Sequence, residues 1–231
     1  MVELERLIRA PVIAIDGPSA SGKGTVAQRV AAGLGFHYLD SGALYRLLVV
    51  RAIRQGISTD DATALSHLAA ELPATFCGDS ICLDGRDVTG EVRSEQTGNM
   101  ASQVAALPQV REALLARQRA YRQQPGLVAD GRDMGSVVFP DAALKIFLTA
   151  TAEERAQRRV KQLKEKGLLA DDTGDIFTRI LQDIRSRDAR DANRAVAPLK
   201  QLPDAHRVDT TSLTVEQAVE AIVSLFPRSP A

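Results

Sequence analysis

The chain has 231 residues, 45% hydrophobic and 25% charged, which is ordinary for a globular protein and enough for a sizeable core with room for an insertion. Its 29 basic and 29 acidic residues cancel, there is no tryptophan and aromatics are 4%, so neither nucleic acid nor an anionic membrane is expected as a partner. No long uncharged apolar span is present, and Met1-Val2-Glu3-Leu4-Glu5-Arg6 carries acids where the basic start of a secretory signal would stand, so a cytoplasmic chain without a transmembrane helix is expected.

Residues 1–11 read as an extension ending at Pro11. Val12-Ile13-Ala14-Ile15 is a short β-branched apolar run, the mark of a buried strand. The stretch Gly17-Pro18-Ser19-Ala20-Ser21-Gly22-Lys23-Gly24-Thr25 follows, and then apolar residues at helical spacing, Val26, Ala27, Val30, Ala31 and Leu34, up to Gly35. Strand, glycine-rich turn, lysine and helix in that order form the context of a phosphate-binding loop. Glycines let successive N–H groups converge on one anion, the positive helix end faces it, and Lys23 adds a point charge near the β- and γ-phosphates. The usual pattern ends in Lys followed by Ser or Thr. Here Gly24 takes that place, and Thr25 is the hydroxyl expected nearest the phosphates.

Phe36-His37-Tyr38-Leu39 reads as a second strand, delivering Asp40 and Ser41 as candidate caps of a helix through Leu47, Leu48, Val50, Ala52 and Ile53 to Gly56. Ser41 serves equally as a cap or as a ligand contact. Arg46 stands on a helix that starts at a strand end, where ligands of open α/β sheets collect. From Asp60 the βα alternation breaks. A helical pattern over 62–71 precedes three short strands, 74–77, 81–83 and 87–89, parted by the tight-turn signals Gly78-Asp79 and Asp84-Gly85. This predicts an inserted antiparallel module over 60–105, inside a core of 1–59 and 106–231. Helices over 95–106 and 109–123 flank Pro108. Cys77 and Cys82 stand on adjacent strands, where two free thiols are favoured over a disulfide. His37, His67 and His206 lack ligand spacing, so no metal site made of protein ligands is expected.

Leu127-Val128-Ala129-Asp130 is an apolar run ending in an acid, followed by Gly131-Arg132-Asp133. Downstream of a phosphate loop, such an acid orders Mg²⁺ directly or through water; alone it would be a turn aspartate. Leu144–Leu148 is another buried strand. A charged helix from Glu153 carries Arg155, Arg158 and Arg159 and reaches Gly167, beyond which Asp171-Asp172-Thr173-Gly174 is a loop. The next helix buries Ile176, Phe177, Ile180, Leu181 and Ile184 and ends with Arg187, Asp191 and Arg194 on one face. That face is either a solvated ion-pair surface or a grip for phosphate and ribose. His206–Asp209 is the last strand, Thr214 with Gln217 a capping box for the final helix, and 227–231 a frayed tail.

Four motifs in this order, IAIDGPSASGKGT, YLDSGALYR, ADGRDMGSVVFPDA and RDARDANRAVAPL, resemble the bacterial cytidylate kinases over nearly the whole chain. The resemblance implies an α/β P-loop nucleoside monophosphate kinase fold: a five-stranded parallel sheet flanked by helices, an inserted small antiparallel monophosphate-binding subdomain, and a short lid near 155–175. It implies transfer of the γ-phosphoryl of ATP to CMP or dCMP with Mg²⁺, in a cytoplasmic and mostly monomeric enzyme. It places Ser41 and Arg46 on the monophosphate, Ser102, Arg111 and Asp133 on the cytosine, and Arg132 by the phosphates. Arg187, Asp191 and Arg194 then hold ribose and phosphate. Lys23 would neutralise β/γ oxygens, Asp130 would order Mg²⁺ through water, and the lid arginines, Arg158 among them, would close to expel water. Three rival readings remain: a kinase for a different monophosphate, a nucleotide-binding switch without an acceptor, and an RNA-binding structural protein, which neutral charge and few aromatics weaken. The chain lacks the N-K-x-D motif that a GTP switch would use.

Overall fold

The computed structural model describes residues 9–77, 80–165, 167 and 174–227. Residues 1–8, 78–79, 166, 168–173 and 228–231 lie outside the described residues, and with them the turn expected at Gly78-Asp79, most of the loop expected over 171–174, part of the lid expected near 155–175 and most of the tail expected over 227–231. The chain divides into two compact units, Met1–Tyr38 with Arg122–Ala231, and Leu39–Tyr121; the insertion expected over 60–105 falls within the second.

The first unit is built on a parallel sheet of order β2-β6-β1-β7-β8. Its strands are β1 (Val12–Asp16), β2 (His37–Asp40), β6 (Leu127–Gly131), β7 (Leu144–Thr149) and β8 (His206–Asp209). β1 and β6 are buried along their whole length, as continuous apolar runs covered on both faces must be. β7 alternates buried and half-buried residues. The register pairs Ile15 with Asp130 and Ile146, and Asp16 with Gly131 and Phe147. Further along, Leu148 pairs with Val208 and Thr149 with Asp209. The carboxyl ends of β6, β1, β7 and β8 therefore end side by side, and the chain leaves each of them along one edge of the sheet.

Helix α1 (Lys23–Leu34) packs Val26, Ala27 and Val30 onto Ile13, Ile15 and Val128, and it stops at Gly35, whose φ of 66° closes the helix. The last helix, α9 (Val215–Leu225), has the capping box predicted from Thr214 and Gln217 and packs Ala218 and Ile222 into the same core. Phe36 and Phe226 meet edge to face, 5.7 Å between ring centres. Helices α7 (Ala152–Glu165) and α8 (Gly174–Ala192) lie together, and a π-helical turn, Met134–Val138, follows β6.

The second unit carries α2 (Ser41–Arg54), α3 (Ala62–Ala70), α4 (Thr89–Val92), α5 (Glu95–Val104) and α6 (Pro108–Ala120). Its antiparallel sheet runs in the order β3-β4-β5, formed by Ala74–Cys77, Ser80–Leu83 and Arg86–Asp87. The third strand is shorter than expected because Thr89 starts a helical turn, its N–H held by the Asp87 carboxylate. The two helices expected around Pro108 form, and Pro108 is the first residue of the second, α6, where a missing N–H costs nothing. Cys82 is a free thiol. Among the described residues no helix is long and apolar enough to cross a membrane.

Candidate active site

The loop between β1 and α1 turns tightly against β7. A Cβ built on Gly17 would stand 1.9 Å from the Leu148 carbonyl oxygen, so no other residue fits there without moving backbone. Gly22 enters α1 with φ of 89°, the left-handed region that glycine tolerates. Ala20 shares that region at φ of 57°, as a residue other than glycine. Ser21 Oγ donates to the Pro18 carbonyl at 3.0 Å. Among the described residues Ser19 Oγ is buried and has no hydrogen-bond partner, so its hydroxyl has an unused donor at the loop.

Lys23 is only 6% exposed. Its Nζ donates to the Pro18 carbonyl at 2.8 Å and lies 3.9 Å from Asp130 Oδ1. Asp130 stands at the buried end of β6, as the apolar run before it predicts, and its Oδ2 accepts from the Tyr38 hydroxyl at 3.3 Å. A Cβ on Gly24 would meet Asp130 Oδ2 at 3.4 Å and the Tyr38 oxygen at 3.6 Å. Both are ordinary van der Waals distances, so a side chain starting at residue 24 would lie against the Tyr38–Asp130 contact without a clash. Thr25 is exposed on the first turn of α1.

Arg132 and Asp133 follow directly. Arg132 Nε donates to Asp191 Oδ2 at 2.8 Å. Burial would lower the guanidinium pKa, but Asp191, Asp130 and Asp16 together hold it above its ordinary value. Asp191 is 5% exposed; burial would raise its carboxyl, yet Arg132 first, then Arg194 and Arg187, hold it below the usual carboxylate range. The face of Arg187, Asp191 and Arg194 is therefore no solvated ion-pair surface: its acid turns inward to an arginine from another element. Asp133 is buried at the start of the π-helical turn, with its carbonyl accepting from Val137 and Val138.

The arginines of α7 brace the loop. Arg155 is buried, grips Asp188 of α8 with both Nη atoms at 3.0 and 2.5 Å, and donates to the Ser19 carbonyl at 3.1 Å. Arg158 donates to the Thr210 hydroxyl and carbonyl and, at 3.4 Å, to the Ser21 carbonyl, while Glu154 accepts from its Nε. Arg159 turns to Gln162. Sequence reading passed over Thr210 as well as Asp16, a buried acid that accepts from the Met134 and Gly135 N–H groups at 2.8 Å each. The signal for Asp16 was available: an acid at the end of a buried strand, the same sign that marked Asp130.

In the second unit Asp40, not Ser41, caps α2, accepting from the Ala43 N–H at 2.9 Å. Ser41 is the buried first residue of the helix. Arg46 donates to the Val92 and Ser94 carbonyls at 2.9 and 3.2 Å, and Arg111 to the Ala105 carbonyl at 3.2 Å. Ser102 is half-buried on α5.

A family model described as cytidylate kinase matches residues 13–228. The chain belongs to the cytidylate kinase family. Relatives in that family include the cytidylate kinase of Chromobacterium violaceum, 59% identical over 221 residues that cover 96% of this chain and 97% of that one. The cytidylate kinase of Bordetella pertussis is 57% identical over 217 residues, 94% of this chain and 95% of its own. That of Paraburkholderia phymatum is 57% identical over 218 residues, 94% of this chain and 93% of its own.

Proposed function

We propose that the protein transfers the γ-phosphoryl group of ATP to CMP and dCMP, giving CDP or dCDP and ADP. The observation that supports this reading most is the buried Lys23–Asp130 pair beside a glycine-rich loop, in a chain of the cytidylate kinase family. Phosphoryl transfer needs little covalent help. It needs two nucleotides held in line and cations around the moving group.

The loop Gly17–Thr25 binds the donor phosphates: Ser19 Oγ is a buried orphan donor there, and Lys23 holds a buried positive charge. Lys23 leans on the oxygens whose charge grows in the transition state. Arg158, tied to the Ser21 carbonyl, stands beside the same loop and serves as the lid-side cation. Mg²⁺ fits the donor set, because it favours oxygen ligands, keeps several waters and needs only one or two carboxylates with the substrate phosphates. Asp130 and Thr25 supply such oxygens. When bound with ATP, the ion neutralises phosphate charge.

Arg132, pinned by Asp191, stays oriented toward the acceptor phosphate, with Arg187 and Arg194 adding cations from α8 and Asp191 accepting from ribose. Asp133 reads the cytosine amino group as an acceptor. In the second unit Ser41 and Arg46 bind the monophosphate, and Ser102 and Arg111 donate to the cytosine acceptors. The module over 60–105 belongs to monophosphate binding, and the enzyme acts as a cytoplasmic monomer.

A coupled ADP-release assay with ATP, Mg²⁺ and CMP, dCMP, UMP or AMP in turn tests the reading. Fast turnover confined mainly to CMP and dCMP supports it. Faster turnover of UMP or AMP overturns the acceptor assignment, and release of ADP that ignores the acceptor overturns the kinase reading.

A further inference from the structure

Asp16 is the last residue of β1 and precedes the glycine that opens the phosphate loop. Both of its carboxylate oxygens are occupied: Oδ1 accepts from the Met134 N–H and Oδ2 from the Gly135 N–H, each at 2.8 Å. These two amides open the π-helical turn, and Arg132 and Asp133 are the residues immediately before it. The turn has no side-chain cap of its own, because Asp133 at its N-cap position makes no capping hydrogen bond. Its first free N–H groups are satisfied instead by an acid from a strand more than a hundred residues away in sequence. A carboxylate bound through both oxygens to adjacent amides fixes distance and rotation together.

The acid is costly where it stands. Burial pushes its carboxyl up to about 6 despite both N–H donors, with Asp133 adding to the rise and Lys23 opposing it. Arg132 is the other charge facing it. Core packing alone would favour an apolar residue at a position so buried.

We propose that Asp16 is a positioning residue: its carboxylate clamps the Met134–Gly135 turn to β1 and so holds Arg132 and Asp133 in place for the acceptor nucleotide. This rests on the roles given to Arg132 and Asp133 above. Asp16→Asn keeps the size of the side chain but turns an NH₂ group toward one of the two backbone N–H groups. The expected result is a KM for CMP raised about ten-fold or more and a weakened preference for CMP over UMP, with the KM for ATP within about three-fold of wild type. Wild-type turnover of CMP is the reference. Without it the functional reading fails, and the clamp is then judged by the amide titration below. With it, a variant whose CMP and ATP parameters worsen together, or do not change, overturns the clamp alone.

Should Asp16→Asn fail to fold, the amide signals of the unaltered clamp decide. In nuclear magnetic resonance the Met134 and Gly135 N–H signals follow one common carboxyl titration, in wild type and equally in Asp133→Asn, if Asp16 holds both. Amides that share no titration, or that lose it in Asp133→Asn, overturn the proposal.

Discussion

Asp16 ends β1 and Asp130 is the penultimate residue of the adjacent β6, one register step apart: Asp130 is paired with Ile15 and Asp16 with Gly131. Successive strand residues point to opposite faces, so the two acids leave opposite faces of the sheet. Asp130 meets Lys23 and Tyr38; Asp16 meets the amides of Met134 and Gly135. Two buried carboxylates at one sheet edge thus serve different loops.

On the Asp130 side, the proposed function places the charge that matters for transfer on Lys23. Lys23→Ala removes a buried cation that phosphoryl transfer needs most in the transition state, so kcat falls by roughly a hundred-fold or more. Steady-state kinetics at saturating ATP and CMP measures this, and near-normal turnover refutes the role given to Lys23.

Removing Asp191 strikes both stability and turnover. Its carboxylate is the hydrogen-bond partner of Arg132 Nε at 2.8 Å, and without it that guanidinium keeps the Gly131 carbonyl at 3.2 Å and the more distant charges of Asp130 and Asp16. Asp191→Ala is expected to lower unfolding free energy by about 1–3 kcal/mol, the worth of a charge-assisted hydrogen bond to the half-buried Arg132. It also lowers CMP turnover. Since its carboxyl is depressed in the folded protein, the stability from the pair is present above the unfolded pKa and is lost only as pH falls through the folded one. Chemical denaturation at neutral pH checks the magnitude; a variant as stable as wild type denies the pair its anchoring role.

The parts of this architecture that are local in sequence were legible in it. The phosphate loop declares itself because strand, glycines, lysine and helix are contiguous, and Asp130 because an acid closes an apolar run. The capping box from Thr214 to Gln217 is a four-residue device and needs no tertiary context. What stayed hidden depends on partners far along the chain. Asp16 has the same sign as Asp130, but its role is set by amides at 134 and 135. Arg158 is expected as a lid arginine on a charged helix, and only the fold shows that it meets Thr210. Gly98 lies inside a predicted helix with no feature to mark it, and its meaning comes from Arg46.

That meaning is spatial. A Cβ built on Gly98 would stand 2.8 Å from Arg46 Nη2 and 3.0 Å from Cζ, so the guanidinium lies flat on the bare helix backbone. The atoms in the way are the far end of a flexible side chain, and the fold can yield. Gly98→Ala should therefore leave the protein folded while displacing Arg46 from the Val92 and Ser94 carbonyls. The KM for CMP is expected to rise about ten-fold, the worth of a charge-assisted hydrogen bond, while the KM for ATP holds. Equal CMP affinity in variant and wild type would remove Arg46 from the acceptor site.

Burial raises the Asp16 carboxyl from 3.8 to about 6 in the folded protein. Between those values the folded chain holds a proton that the unfolded chain has released. The stability linked to neutral Asp16 is thus full below the unfolded pKa and is lost as pH rises through the folded one. A shift from 3.8 to about 6 corresponds to about 3 kcal/mol. Asp16→Asn has no proton to lose and escapes this fall. The stability of the variant relative to wild type should therefore climb between about pH 4 and pH 7 and then level off. Denaturant unfolding of both proteins across that range measures the climb. A difference that stays flat with pH would show that Asp16 does not titrate upward as its burial requires. A climb, together with a CMP-specific loss in the same variant, would mean that the chain keeps a destabilising acid for the sake of the turn it holds.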